Sequence, residues 1–257
     1  MMKPFIKKLK QYIPYVPYII PIMRFNLRYL PFMQAIRLPI FLYKPKFRHF
    51  GSGKVLINSS EIRTGMIRLG HLTIGIYKND GVIWDSTGTV VFKGRTIIGG
   101  GSAINLRPSG LLIFGEDFVA NANVKIVCHD RIEFGYSVNL GWDVTVTDTD
   151  FHSLKNVLTG KKMKHVAPIY LGDYTWIGHH CLVTKGTKTP KRLIASAGTK
   201  LSGRYRCGVN TIIEGNPSKI VMENCYYRDF QDDDSSFFDY PRIIHPPKTS
   251  SESQERK

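Results

Sequence analysis

Between Leu171 and Leu201 one position in every six is apolar or small, without a slip: Leu171, Ile177, Val183, Thr189, Ala195 and Leu201. A small or tight-turning residue follows most of them (Gly172, Gly178, Thr184, Pro190, Ser196), and four places on stands Thr175, Cys181, Thr187, Leu193 or Thr199. An α-helix repeats near 3.6 residues and a strand at two, so neither explains this beat. A chain that turns a corner every six residues does. Each side aims one residue inward, only small side chains fit beside the bend, and a coil buries its apolar row by stacking on the next.

Weaker forms of the beat run upstream. Phe114, Ala120 and Ile126 are six apart, as are Phe134, Leu140 and Val146, and the two sets are offset by two residues around His129–Arg131, which reads as a corner insertion. Phe92, Phe114 and Phe134 open similar turns 22 and 20 residues apart, close to a three-sided coil with small bulges. The glycine-punctuated runs Lys54–Ile57, Met66–Leu69, Leu72–Ile76, Val82–Trp84 and Thr89–Phe92 read as irregular early coils. Between Val146 and Leu171 the beat is lost for 25 residues, a span holding Thr147-Asp148-Thr149-Asp150-Phe151-His152-Ser153 and the basic run Lys155–Lys164. A loop thrown out of a regular solenoid is where function tends to sit.

The charge of +16 over 257 residues is unevenly placed. Residues 1–50 carry ten Lys or Arg and no acid, and the first carboxylate is Glu61, so this end attracts anionic surfaces. Its longest uncharged run, Gln11–Met23, is broken by Pro14, Pro17 and Pro21 and is too short to span a bilayer. It also lacks the cleavage site of a signal peptide. Two readings stay open for residues 1–50: a segment lying in a membrane interface, or a helical cap over the end of the coils with its basic residues solvated. Cys128, Cys181, Cys207 and Cys225 are widely spaced, which suits a reducing compartment, and Cys181 reads as a small buried hydrophobe. The last residues, 224–257, read as a polar, disordered tail. No P-loop, C-x-x-C, H-E-x-x-H or H-x-x-x-x-H spacing occurs, so no metal is expected. Phosphate affinity alone does not single out nucleic acid, and no such partner is expected.

Three segments carry a family resemblance: Leu171-Gly172-Asp173-Tyr174-Thr175-Trp176-Ile177-Gly178, Ala195-Ser196-Ala197-Gly198-Thr199 and Glu214-Gly215-Asn216-Pro217-Ser218-Lys219-Ile220. In this order they resemble the hexapeptide-repeat acyltransferases, and within them the sugar O-acetyltransferases (galactoside, maltose and capsule-polysaccharide). The resemblance covers residues 90–223. It implies an all-β fold, a left-handed parallel β-helix over residues 51–223 with a helical or irregular N-terminal segment. It also implies acetyl-CoA as co-substrate, a saccharide acceptor, lipid-linked or not, within surface polysaccharide or glycolipid synthesis, and a homotrimer with its sites between neighbouring β-helices. The expected location is the cytoplasm, at the inner face of the membrane if the N-terminal segment binds it.

Acetyl transfer from a thioester to a hydroxyl needs a base for the hydroxyl proton, donors for the oxyanion and placement of both substrates. The resemblance makes His152 the base, with Asp148 or Asp150 fixing its tautomer. It sets His179 beside the pantetheine arm, the backbone of Ala197 and Gly198 against the pantetheine amides, and Lys219 near the nucleotide phosphates. It sets Asn121 and Trp176 at the acceptor and acetyl end. Departures stand at His129, where an acid is usual, at His179, where a small polar residue is usual, and at Ser202–Cys207. The other readings are N-acetylation of an amino-sugar nucleotide, and a β-helix that keeps its scaffold without chemistry.

Overall fold

The chain winds into the three-sided coil that the beat predicts. The computed structural model describes residues 12–73, 75–78 and 80–225. Among these, three sheets form the faces of a prism, here A, B and C, with nine, seven and five strands. One turn runs Phe118–Ala120 on face A, Lys125–Cys128 on face B and Arg131–Phe134 on face C. Each strand before the terminal hairpin pairs in parallel with the strand one coil away, giving the expected left-handed parallel β-helix.

Register turns the periodic residues into internal ladders. On face A, Leu69, Ile98, Ala120, Leu140, Ile177, Ala195 and Ile213 stack in register. On face B, Trp84, Ile104, Ile126, Val146, Val183 and Leu201 do the same. On face C, Phe92, Phe114 and Phe134 lie ring over ring, with centroids 5.2 and 5.6 Å apart. All are buried, and truncating such a phenylalanine to alanine costs about 3–5 kcal/mol. The small positions of the beat sit at the bends. Thr175, Thr187 and Thr211 are fully buried, and each Oγ1 donates to the carbonyl three residues back at 2.7–2.9 Å, supplying a partner where the ladder turns away.

The coils begin at Ile40–Leu42 and Pro45–Arg48, inside the stretch assigned from sequence to the N-terminal segment. The run at 72–76 forms no strand among its described residues; it lies on an extended corner and leaves Leu72 and Ile76 exposed. The N-terminal segment is helical: a 3-10 turn Ile13–Tyr18, then α1 (Ile19–Tyr29) and the short α2 (Phe32–Ala35). It is docked as a cap. Tyr15, Ile22, Phe25 and Ala35 are buried, and Phe25 meets Trp84 edge-on at 5.1 Å. The buried Asn26 amide donates to the Ile22 and Ile40 carbonyls, and its oxygen accepts from the Ile40 N–H. Tyr15 stacks on His71, with Oη 2.6 Å from Nδ1. Burial, helped by Arg68 and Arg95, pushes the His71 ring down to about 4, so Nδ1 is free to accept the phenol proton. At the far end Ile212–Gly215 and Ser218–Met222 close face A as an antiparallel hairpin. The expected disordered tail, beyond residue 225, lies outside the described residues.

Candidate active site

The excursion that breaks the beat leaves at the edge between faces B and C. In successive coils this edge is spanned by residues 87–88, 107–110, 129–130 and 148–168. The insertion around His129 and the long loop are therefore the same corner, one coil apart. The loop folds back on itself as an arm, with bridges Thr149 to Val166 and Lys155 to Lys162. Its tip leaves Val157 95% and Leu158 96% exposed.

Asp148 roots the arm. It is fully buried, and its two carboxylate oxygens each accept a backbone N–H at 2.8 Å, from His129 and from Asp130. Those bonds tie the long corner to the corner one coil before, and neither involves the ring of His152. Asp150 faces Lys185, Oδ2 to Nζ 2.5 Å. Neither aspartate bonds the His152 ring, which is exposed and makes no hydrogen bond among the described residues. The turn that presents His152 is unusual: Phe151 sits at φ +63°, and the His152 N–H donates to the Asp150 carbonyl at 2.7 Å. That is a γ-turn in the left-handed region, rare for a bulky residue and held only by its surroundings. The holding contacts are the Phe151 N–H on Thr149 Oγ1 at 2.9 Å and the Phe151 ring edge-on to His129 at 5.5 Å. Desolvation lowers the His129 pKa, opposed by Asp148, so its ring is neutral near pH 7. Sequence reading missed Phe151; its place between Asp150 and His152 was the available signal.

The other candidate residues lie on the edge between faces A and B, where glycines allow each coil to seat on the next. A Cβ on Gly141 would lie 2.6 Å from the His179 nitrogen, and one on Gly178 would lie 2.7 Å from the Ala197 nitrogen. His179 stacks flat on Trp142, centroids 4.4 Å apart, and its buried Nδ1 has no partner among the described residues. Trp142 was also missed. It holds the place of His179 one coil earlier, because Leu140 pairs with Ile177, but the intervening arm hides that equivalence in the sequence. Asp143 accepts from Tyr77, a bond that pushes the phenol up to about 12. Asn121 stands on the same edge, and Trp176 faces outward, half-buried, from the adjoining strand on face A. Ala197 and Gly198 are exposed. The Gly198 N–H already donates to the His179 carbonyl at 2.9 Å, so it is not free for a pantetheine amide, whereas the Ala197 N–H has no partner among the described residues. Lys219 is exposed on the terminal hairpin opposite Glu214.

The structure thus gathers Asn121, Trp176, His179, Ala197 and Gly198 along one edge. It holds His152 with Asp148 and Asp150 on another, a face B strand away, which is about 13 Å for four residues. Within one chain they do not meet. An open backbone strip with a free N–H, beside a flat aromatic wall, suits the extended amide arm of coenzyme A. Among the described residues no three His, Cys, Asp or Glu side chains are placed to hold a metal ion.

Six-residue sides stacked in register make the chain a hexapeptide-repeat β-helix. Its sequence is similar to that of a sugar O-acetyltransferase. Over 123 residues it is 24% identical to galactoside O-acetyltransferase of Escherichia coli K12, a match spanning 46% of this chain and 59% of that enzyme. No family model matches the chain. Among solved structures, the polysialic-acid-specific acetyltransferase NeuO superposes with a TM-score of 0.49 at 12% identity, covering 74% of this chain and 90% of NeuO. A hexapeptide-repeat acetyltransferase of Vibrio cholerae in complex with acetyl coenzyme A gives a TM-score of 0.37 at 16% identity, covering 55% of this chain and 70% of that protein.

Proposed function

We propose that this chain is an acetyl-CoA-dependent O-acetyltransferase acting on a saccharide hydroxyl, in surface polysaccharide or glycolipid synthesis at the cytoplasmic face of a membrane. The observation that carries the reading is His152, presented bare to solvent by a strained turn on an arm rooted by buried Asp148. Its imidazole takes the proton of the attacking hydroxyl and passes it to the departing thiolate. The coenzyme supplies the thioester carbonyl; Ala197 and His179 line its arm, and Lys219 with Lys200 offers charge to its phosphates. Asp148 is committed to the backbone, so the ring's orienter would be Asp150 on the same turn, through the oxygen that Lys185 does not hold.

The two edges make one site only if copies of the chain pack side by side, with the arm of one against the A–B edge of the next. The bare apolar tip at Val157 and Leu158 is what such a neighbour would cover. A homotrimer closes this arrangement with three equivalent sites. The test is incubation with labelled acetyl-CoA and the host's lipid-linked saccharides, read by mass spectrometry. An acetylated saccharide is expected, and His152→Ala should lose at least about a hundredfold with an unchanged melting curve. Full turnover in a folded His152→Ala protein removes the assignment. If saturating coenzyme A leaves the melting temperature unmoved, the scaffold reading replaces the enzyme.

A further inference from the structure

The N-terminal cap has two apolar faces, and folding uses one. Tyr15, Ile22 and Phe25 point into the coils and are buried. On the other side Ile13, Val16, Ile20, Met23 and Leu27 recur at alternating spacings of three and four, the stripe of a helical face, and are 43–68% exposed together with Ile19. Phe32 and Met33 of α2 are exposed at 68% and 67%. These side chains do nothing for the core, and exposed apolar surface on this scale marks a partner. The charge around them selects which partner. Arg24 flanks the stripe on α1 and Arg37 follows α2, both exposed, while Arg28, exposed as well, donates to the Gly51 carbonyl. The sequence from Met1 to Ser60 has no acid. A second copy set against this face would bring basic residues onto basic residues, whereas anionic headgroups complement them. No described helix is long and apolar enough to cross a membrane, which leaves a surface seat.

We propose that the outer face of the cap docks this protein on an anionic phospholipid bilayer, with the apolar stripe in the headgroup boundary and the arginines on lipid phosphates. The inference deepens the reading of a membrane-proximal acceptor and rests on it. Along face B, four strand steps separate Pro45–Arg48 at the cap end from Thr145–Thr147 at the root of the arm. At about 4.8 Å each this sets His152 about 20 Å along the prism from the cap, within reach of a saccharide tethered to lipid in the same bilayer.

The test is co-sedimentation of the full chain with vesicles of phosphatidylcholine alone and of phosphatidylcholine mixed with phosphatidylglycerol. Binding to the mixed vesicles, weakened by salt, is expected. It should fall at least about tenfold in Val16→Glu/Ile20→Glu/Leu27→Glu with melting temperature retained. If that variant does not fold, Arg24→Gln/Arg37→Gln, which alters exposed side chains only, should weaken binding to the mixed vesicles only. Equal sedimentation with both vesicle types overturns the proposal. So does an absence of binding combined with a change of oligomeric state in the apolar variant, which would assign the face to a second copy. Acetyl transfer to a water-soluble saccharide does not depend on this face, so docking can fail while the catalytic reading survives.

Discussion

Two edges of the same prism are built in opposite ways. Along the A–B edge, Gly141 and Gly178 leave no room for a Cβ, each coil seats directly on the next, and Trp142 and His179 stack flat. Along the B–C edge one corner lengthens into an arm, whose root is a buried carboxylate holding two backbone N–H groups and whose neck is a strained turn. The tight edge presents backbone and flat rings, which suits an extended ligand. The open edge presents an imidazole on a projection. A face B strand lies between them, so each edge holds half of the candidate chemistry.

The largest expected effect tests whether the halves are joined between chains. His152→Ala and Ala197→Trp each disable one edge, and either homogeneous assembly should fall about a hundredfold in acetyl transfer. Co-refolded at equal ratio, random assemblies should recover about one quarter of wild-type activity, because each intersubunit cleft draws one intact edge from each of two chains. If each site used both edges of a single chain, no mixture could recover, and flat activity on mixing would break the comparison.

Next come the structural costs of each edge. Gly178→Ala should destabilise by about 3 kcal/mol, since the added carbon meets backbone on the next coil. Gly198→Ala, whose Cβ would meet nothing, should cost only the strain of φ +73°, about 1–2 kcal/mol. On the other edge Asp148→Ala leaves two backbone donors without partners and should cost about 2–4 kcal/mol. Urea melts rank all three. An Asp148→Ala protein as stable as wild type would mean that the arm is not rooted there.

A pH titration sharpens the picture at the cap end of the A–B edge. His71 is lowered to about 4 by burial, then by Arg68 and Arg95. Its ordinary value is near 6.5, so between the two values the unfolded chain binds the extra proton. Stability from this group is therefore full above about pH 6.5 and drains as pH falls toward 4, by about 2 kcal/mol between pH 7 and 5. His71→Asn should lose that part of the slope, and an unchanged slope would free the Tyr15–His71 pair of its role in holding the cap.

The coils and the place of the arm were legible because the six-residue period is imposed by geometry at every coil. Each of Leu171, Ile177, Val183, Ala195 and Leu201 is buried where the beat puts it, and the offset at His129–Arg131 is a real corner. Contacts that join distant coils were not legible. The resemblance offered Asp148 or Asp150 as the partner of His152, yet the Asp148 carboxylate, four residues away on a turning backbone, bonds the corner below it instead. Likewise the N-terminal segment read as either cap or membrane face. An apolar helix buries one side and bares the other, and composition does not separate the two sides.

The smallest effect concerns Phe151, where the open edge holds its imidazole. Replacing it by glycine removes about 1–2 kcal/mol of left-handed strain. It also gives up an aromatic contact worth about 0.5–1.5 kcal/mol and adds chain entropy of about 0.5–1 kcal/mol to the unfolded state. These terms nearly cancel, so Phe151→Gly should leave stability within about 1 kcal/mol of wild type. Its mark should appear in titration and turnover. With the ring gone, His129 is better solvated and its NMR-monitored pKa rises toward the ordinary value, because desolvation is what lowers it. The His152 turn loses its anchor, and kcat should fall about tenfold at unchanged KM for the coenzyme, with Phe151→Tyr restoring both readouts. If His129 titrates as before and turnover holds, the strained turn is incidental. The open edge would then differ from the tight one only in length.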